Sequence, residues 1–266
     1  MAESFPAELT RVRRLSESTM DFRFRRTDGM PVVFNPGEFF RFSFEDSTGN
    51  FERPYSLCNF TNASEDEMDL VISTVDGGRA SEYLFHCDLG IETTVTGPHG
   101  RMVLPKQLPQ RLFMFATSVG IAPFLPMLGE LKAASAIVNL FFGVRDRSEF
   151  LYADHLLSLS REWSNFSFMV CYSREVSNLN VYERLGYVTN FVDLYEPNPE
   201  TDYFFLCGNP QMVDDCYGQL KSLNFRAKQV KREKYVFAKK TKAVGKSALT
   251  DEQKKLIAEK LKKYSR

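Results

Sequence analysis

Cysteine and histidine are scarce and scattered. Cys58, Cys87, Cys171, Cys207 and Cys216 are odd in number, with no C-x-x-C pair and no four-cysteine run. That argues against a disulfide framework, a zinc site and a built-in iron–sulfur cluster. His86, His99 and His155 stand too far apart to suggest a metal centre, so no bound metal is expected. No apolar run approaches the ~20 residues of a bilayer-spanning helix, and the first six residues carry neither a basic nor an apolar leader region. A cytoplasmic protein without a transmembrane segment is expected. Net charge is missing as well, 34 Lys and Arg balancing 34 Asp and Glu, but the balance is uneven. Residues 238–266 hold ten basic and three acidic side chains, leaving 24 against 31 in residues 1–237. A basic tail on an acidic body argues against nucleic-acid binding, which needs its positive charge on a folded face.

What is present is ordinary globular composition, 43% hydrophobic and 26% charged over 266 residues, enough for two domains of roughly 100–150 residues each. The first hundred residues read as short strands between turns, among them 21–26, 38–44 and 68–75, several alternating apolar and polar with period two. Such spacing predicts a small antiparallel barrel over residues 1–105. Ser81 is expected to cap a short helix at 82–87. Prolines at 105 and 109 flank the boundary. Beyond it, over 110–237, buried-type strands alternate with helix-length segments: strands at 112–116, 137–144, 166–172, 203–207 and 230–237, helices at 122–134, 150–161 and 210–223. This alternation predicts a parallel five-stranded α/β domain with ligands at the carboxyl ends of its strands. Residues 238–266 read as a lysine-rich linker and a basic helix capped by Thr250. That tail is a docking arm for an acidic carrier, a membrane-surface contact or a solvated helix.

Arg53-Pro-Tyr-Ser56 lies at a strand after a polar turn. It is either an edge strand with a surface arginine, or a site offering a guanidinium to a diphosphate, a ring to a flat cofactor and a hydroxyl to a ring nitrogen. Gly77-Gly-Arg-Ala-Ser81 opens a helix directly after a strand. It is a plain turn and cap, or an anion site built from glycine backbone and the first free N–H groups. Gly97-Pro-His-Gly100 is an ordinary glycine turn or a third loop of the same site. Thr117–Pro123 joins strand to helix at the phosphate-binding position of a nucleotide fold, without the G-x-G-x-x-G spacing of a dehydrogenase. Pro123 suits a first helical turn. Cys207-Gly-Asn-Pro-Gln-Met212 also joins strand to helix, with Cys207 at the strand's carboxyl end.

These five segments, in this order, resemble the ferredoxin–NADP reductase superfamily over about residues 5 to 237. The resemblance implies an FAD-binding barrel followed by an NAD(P)-binding domain. Arg53 would bind the flavin diphosphate, Tyr55 would lie against the isoalloxazine and Ser56 would face flavin N5, with Pro54, Leu57 and Cys58 completing the segment. Gly78, Arg79, Ala80 and Ser81 would hold the diphosphate. Thr117, Val119, Gly120 and Pro123 would take the pyridine-nucleotide diphosphate, while Cys207, Gly208 and Met212 would sit at the nicotinamide end. Cys207 would approach nicotinamide C4. Glu233 and Tyr235 match the family's closing glutamate-x-aromatic, Glu233 near Ser56 and Cys207 as a third catalytic residue and Tyr235 over the second flavin face. In close relatives that aromatic stands at or near the chain end, whereas this chain runs on to Arg266. Ser173 and Arg174 resemble the pair that grips the adenosine 2′-phosphate, with Tyr187 at the adenine and Arg145 as a further candidate. NADP is therefore expected, NAD remaining open. The implied activity is hydride transfer between NADPH and FAD and single-electron transfer to a ferredoxin or flavodoxin, by a monomer. Alternatives are an NADH-dependent reductase component of an oxygenase and a flavin-bearing subunit without catalysis.

Overall fold

A computed structural model describes residues 2–60 and 63–235. Its first half is one antiparallel sheet of six strands: β1 (Glu3–Arg14), β2 (Thr19–Arg26), β3 (Phe39–Asp46), β4 (Gly49–Ser56), β5 (Glu67–Ser73) and β6 (Glu92–His99), in the order β4-β3-β6-β1-β2-β5. The cause is period-two patterning. Phe40, Phe42 and Phe44 of β3 point inward with Phe22 and Phe24 of β2, and a side chain on Gly97 of β6 would collide with the Phe40 ring. The sheet curls until its edges meet just beyond β4. There the Cys58 backbone N–H donates to Asp69 O at 2.8 Å, the Asn59 amide donates to Glu67 O at 2.7 Å, and Asn59 Oδ1 accepts from Asp69 N at 2.9 Å. Helix α1 (Arg79–Leu84) follows β5. It begins three residues earlier than expected, and Ser81 is not its cap: Gly78 is the cap residue, and the Ser81 hydroxyl turns back onto Gly78 O at 2.9 Å.

The second half is a parallel sheet of six strands: β7 (Arg111–Thr117), β8 (Ile137–Val144), β9 (Phe166–Tyr172), β10 (Glu183–Leu185), β11 (Asp202–Gly208) and β12 (Val230–Lys234), ordered β10-β9-β8-β7-β11-β12. The expected five become six because β10 has only three residues, too few to show a period. Helices α2 (Phe124–Leu131), α3 (Ala153–Glu162) and α4 (Pro210–Ser222) cover the two faces. Alternate residues of β7 feed opposite cores: Leu112, Met114 and Ala116 face one layer, Phe113 and Phe115 the other. The chain runs outward from β7 through β8 and β9 to β10, then returns to β7's other flank at β11. The crevice at the carboxyl ends of β7 and β11 is thus the topological switch point, where open α/β sheets bind ligands. Cys58, Val71 and Met102 from the barrel side join the β7–α2 core, so apolar packing is continuous between the halves. The tail helix lies outside the described residues, as do the last two residues of the strand expected to end at 237.

Candidate active site

Two arginines meet at the rim of β4. Period two puts Phe51, Arg53 and Tyr55 on one face, in register with Phe44, Phe42 and Phe40. The Arg53 guanidinium carbon lies 5.7 Å from the Phe51 ring centroid and that of Arg79 4.3 Å from the same ring. The Arg53-Pro-Tyr-Ser56 and Gly78–Ser81 segments are therefore brought together. Arg79 is also held by Asp46, at 2.7 and 2.8 Å, a partner 33 residues away that no local pattern announces. Phe51 was findable, two residues before Arg53 on the same strand face. Burial sets Tyr55 against the barrel core and pushes its phenol pKa up. Ala80 is buried, while Leu57 and Cys58 are fully so, Leu57 in the barrel and Cys58 at the junction of the halves. Neither of the latter two side chains is open to a ligand.

The switch point is built of bare backbone. Thr117 ends β7 and its hydroxyl accepts from Asn209 N at 2.8 Å, tying the two loops that bound the crevice. A side chain on Gly208, whose φ is +126°, would collide with Thr117 Oγ1, and one on Gly120 with Cys207 O. Only glycine permits that approach. Asn209 caps α4 by accepting from Gln211 N and Met212 N, and Pro210 follows it. Val119 is buried in the short turn before α2, and Pro123 is the cap residue of α2, one position ahead of the first turn. Met212 is buried, its sulfur 3.9 Å from Cys216 Sγ.

Ser56, Cys207, Glu233 and Tyr235 form one cluster. The Tyr235 hydroxyl donates to Ser56 Oγ at 3.0 Å, and its N–H donates to Gly208 O at 2.8 Å. Ser56 is 5% exposed and Cys207 0%. Cys207 and Glu233 are register partners on β11 and β12. Desolvation pushes the Glu233 carboxyl up to about 7, with the Ser56 hydroxyl pulling the other way. Burial, and the nearby Glu233 charge, raise the Cys207 thiol far above its ordinary range, so it is neutral. The cluster thus presents a hydroxyl, a thiol and a carboxyl able to change protonation near neutrality.

Arg145, Ser173 and Arg174 follow β8 and β9 at the same end of the sheet. Arg174 N donates to Arg145 O at 2.9 Å, and the Arg174 guanidinium lies 3.5 Å from Asp146 Oδ2. Arg174 and Tyr187 are 63% and 65% exposed, hence open to a ligand. Arg147, two positions from Arg145, is instead taken up by Glu183 at 2.7 Å.

The donor set fits a dinucleotide flavin on the barrel side, through the two guanidinia, and a second nucleotide at the switch point, through the bare loops. Comparison with known proteins agrees. Residues 6–104 match the model of the oxidoreductase FAD-binding domain and residues 114–217 that of the oxidoreductase NAD-binding domain. The chain is 30% identical over 223 residues to ferredoxin–NADP reductase B of Sorangium cellulosum (strain So ce56), covering 80% of this chain and 89% of that one. It is 27% identical over 214 residues to the electron transfer component of toluate 1,2-dioxygenase from Pseudomonas putida, covering 79% of this chain and 61% of that relative's length. A ferredoxin NADP+ reductase from Neisseria gonorrhoeae with bound FAD and NADP shares the fold, with a TM-score of 0.73, 23% identity and coverage of 87% and 98%. No helix among the described residues is long and apolar enough to cross a membrane.

Proposed function

Because this chain belongs to the ferredoxin–NADP reductase superfamily of FAD- and NAD(P)-binding oxidoreductases, we propose that it moves hydride between NADPH and FAD and single electrons between FAD and a ferredoxin or flavodoxin. The observation that carries this reading is the Ser56–Tyr235–Cys207–Glu233 cluster, which joins the barrel's arginine strand to the switch point of the parallel sheet. FAD, when bound, supplies the conversion between two-electron and one-electron transfer. The chain supplies position and electrostatics. Arg53 and the Gly78–Ser81 backbone hold the diphosphate; Tyr55 and Ser56 fix the ring system, with the Ser56 hydroxyl oriented by Tyr235. Thr117, Gly120 and Gly208 admit the nucleotide diphosphate, and Arg145, Ser173, Arg174 and Tyr187 take its adenylate end. Cys207, neutral and packed beneath Tyr235, offers a soft apolar contact to the nicotinamide once that ring moves aside. Glu233, able to hold a proton near pH 7, keeps that pocket from carrying an unbalanced charge.

One observation favours the second reading, an NADH-dependent component serving an oxygenase. Asp146, held by Ser148 N and Oγ at 3.1 and 2.6 Å, sets a carboxylate beside Arg174, and a fixed carboxylate accepts from a ribose hydroxyl but repels a phosphate. Stopped-flow reduction by NADPH and by NADH, followed by reoxidation with a ferredoxin and a flavodoxin, separates the two. Faster reduction by NADPH and rapid reoxidation by either carrier is expected. Reduction by NADH alone overturns the leading reading.

A further inference from the structure

We propose that Glu149 is a positioning residue whose carboxylate grips Ser16 and Ser18 and holds the barrel in the alignment on the parallel sheet that hydride transfer needs. Ser16 Oγ donates to Glu149 Oε2 at 3.0 Å, and Ser18 Oγ donates to Oε1 at 3.0 Å and Oε2 at 3.1 Å. The two serines stand in the β1–β2 turn and Glu149 in the loop after β8, more than 130 residues away. Within the turn, Ser18 N donates back to Ser16 Oγ at 3.3 Å, so both hydroxyls are presented as a pair. Three residues further along the same loop, Tyr152 adopts a φ of +58°, a left-handed conformation unusual for an aromatic residue. Its hydroxyl reaches to 3.5 Å from Asp21 Oδ2 and 3.6 Å from Cys58 Sγ, both on the barrel side.

Apart from these bonds and the one from Tyr235 to Ser56, the junction among the described residues is largely apolar. Leu15, Cys58, Val71 and Met102 pack into the core of the parallel-sheet half. Apolar contact is non-directional, so it keeps the halves together without fixing their rotation. Bonds from two hydroxyls to one carboxylate are directional and strengthened by its charge. Ser56 and Cys207 belong to opposite sides of this junction, and transfer requires reacting atoms about 3–3.5 Å apart, so a displacement of about 1 Å is costly even when its origin is remote. The same loop opens on Arg145 and Asp146, and Asp146 is tied to Ser148 immediately before Glu149. One short segment therefore carries nucleotide candidates at its start and the grip on the barrel at its end. Glu149 touches no reacting atom; it acts through the alignment of the residues that do.

The inference rests on the hydride-transfer reading above. Its test uses the full-chain holoprotein with Glu149→Ala, Glu149→Gln and the double variant Ser16→Ala/Ser18→Ala. Glu149→Ala should lower the flavin reduction rate at saturating nucleotide by about 10- to 100-fold. NADP+ affinity should stay within about twofold, since the adenylate contacts are untouched, and the long-wavelength absorbance that develops when nicotinamide meets flavin should weaken. Glu149→Gln, whose amide oxygen still accepts from one hydroxyl, should recover most of the rate. The double serine variant should reproduce the loss, and combining it with Glu149→Ala should add nothing; it carries the same expectation should Glu149→Ala fail to fold. Wild-type reduction and wild-type absorbance in Glu149→Ala or in the double serine variant would overturn this inference alone. Failure of both NADPH and NADH to reduce the wild-type flavin would overturn the functional reading and the inference with it.

Discussion

Replacing Glu233 with glutamine should change how stability depends on pH, by an amount fixed by where the carboxyl sits. In an exposed chain this group ionises near 4.5; in the fold, desolvation beside the buried Cys207 and Ser56 moves it to about 7. Between those two values the unfolded chain has released the proton and the folded chain keeps it. The folded state then binds more protons, and stability falls as pH rises. At about 1.4 kcal/mol per pH unit, the wild type should lose about 3 kcal/mol from this group between pH 4.5 and 7. Below 4.5 the contribution is complete, and above 7 it is gone. Glutamine keeps the shape and cannot ionise, so the variant lacks that decline while every other titrating group cancels in the difference. Equilibrium urea unfolding of both proteins from pH 4 to pH 8.5 gives the comparison. The variant should gain on the wild type steadily from 4.5 to 7 and run parallel outside that window. Curves parallel throughout would refute the placement of Glu233 in a water-poor cluster.

Ser56→Ala should slow flavin reduction by about 10²–10³-fold, the scale of one oriented polar group lost at a reacting centre, with FAD binding little changed because Arg53 remains; transient kinetics and apoprotein titration measure the two. Arg174→Ala should weaken NADPH by about 10- to 150-fold, the loss of one charged hydrogen-bond partner, and NADH by far less, which a comparison of dissociation constants reads directly. Gly208→Ala should destabilise the fold by about 2–4 kcal/mol through a strained φ and a collision with Thr117 Oγ1, seen as a lowered urea midpoint.

Much of this architecture was legible because it is periodic. The inward Phe40, Phe42 and Phe44 and the continuous apolar run of β7 announce a half-solvated antiparallel strand and a fully buried parallel one. The glycines at 120 and 208 were legible as loop residues, but their reason, the close approach of β7 and β11, exists only in three dimensions. β10 escaped notice because three residues cannot display a pattern. Ser81 was misjudged as a cap because Gly78 can start a helix without a side chain. Longer-range pairs, Arg79 with Asp46 and Glu149 with Ser16 and Ser18, leave no local trace at all. The cluster around Ser56 lies between these extremes. Each member was named by motif, and the resemblance set Glu233 beside Ser56 and Cys207, but the Tyr235 bond to Ser56 spans 179 residues and nothing in the sequence pointed to it.

The barrel's closure carries a last implication. β4 bonds to β3 on one flank only, and its other flank meets no strand among the described residues until Cys58 and Asn59 reach β5. The wall therefore has a gap alongside Arg53–Ser56, where peptide groups wait for a partner. An unpaired strand edge is a template for another chain. Anything bound against that segment also acts as a chaperone for it, hiding an adhesive seam. Stripped of its flavin, the protein should clump before it unfolds, and adding FAD back should restore solubility as well as colour.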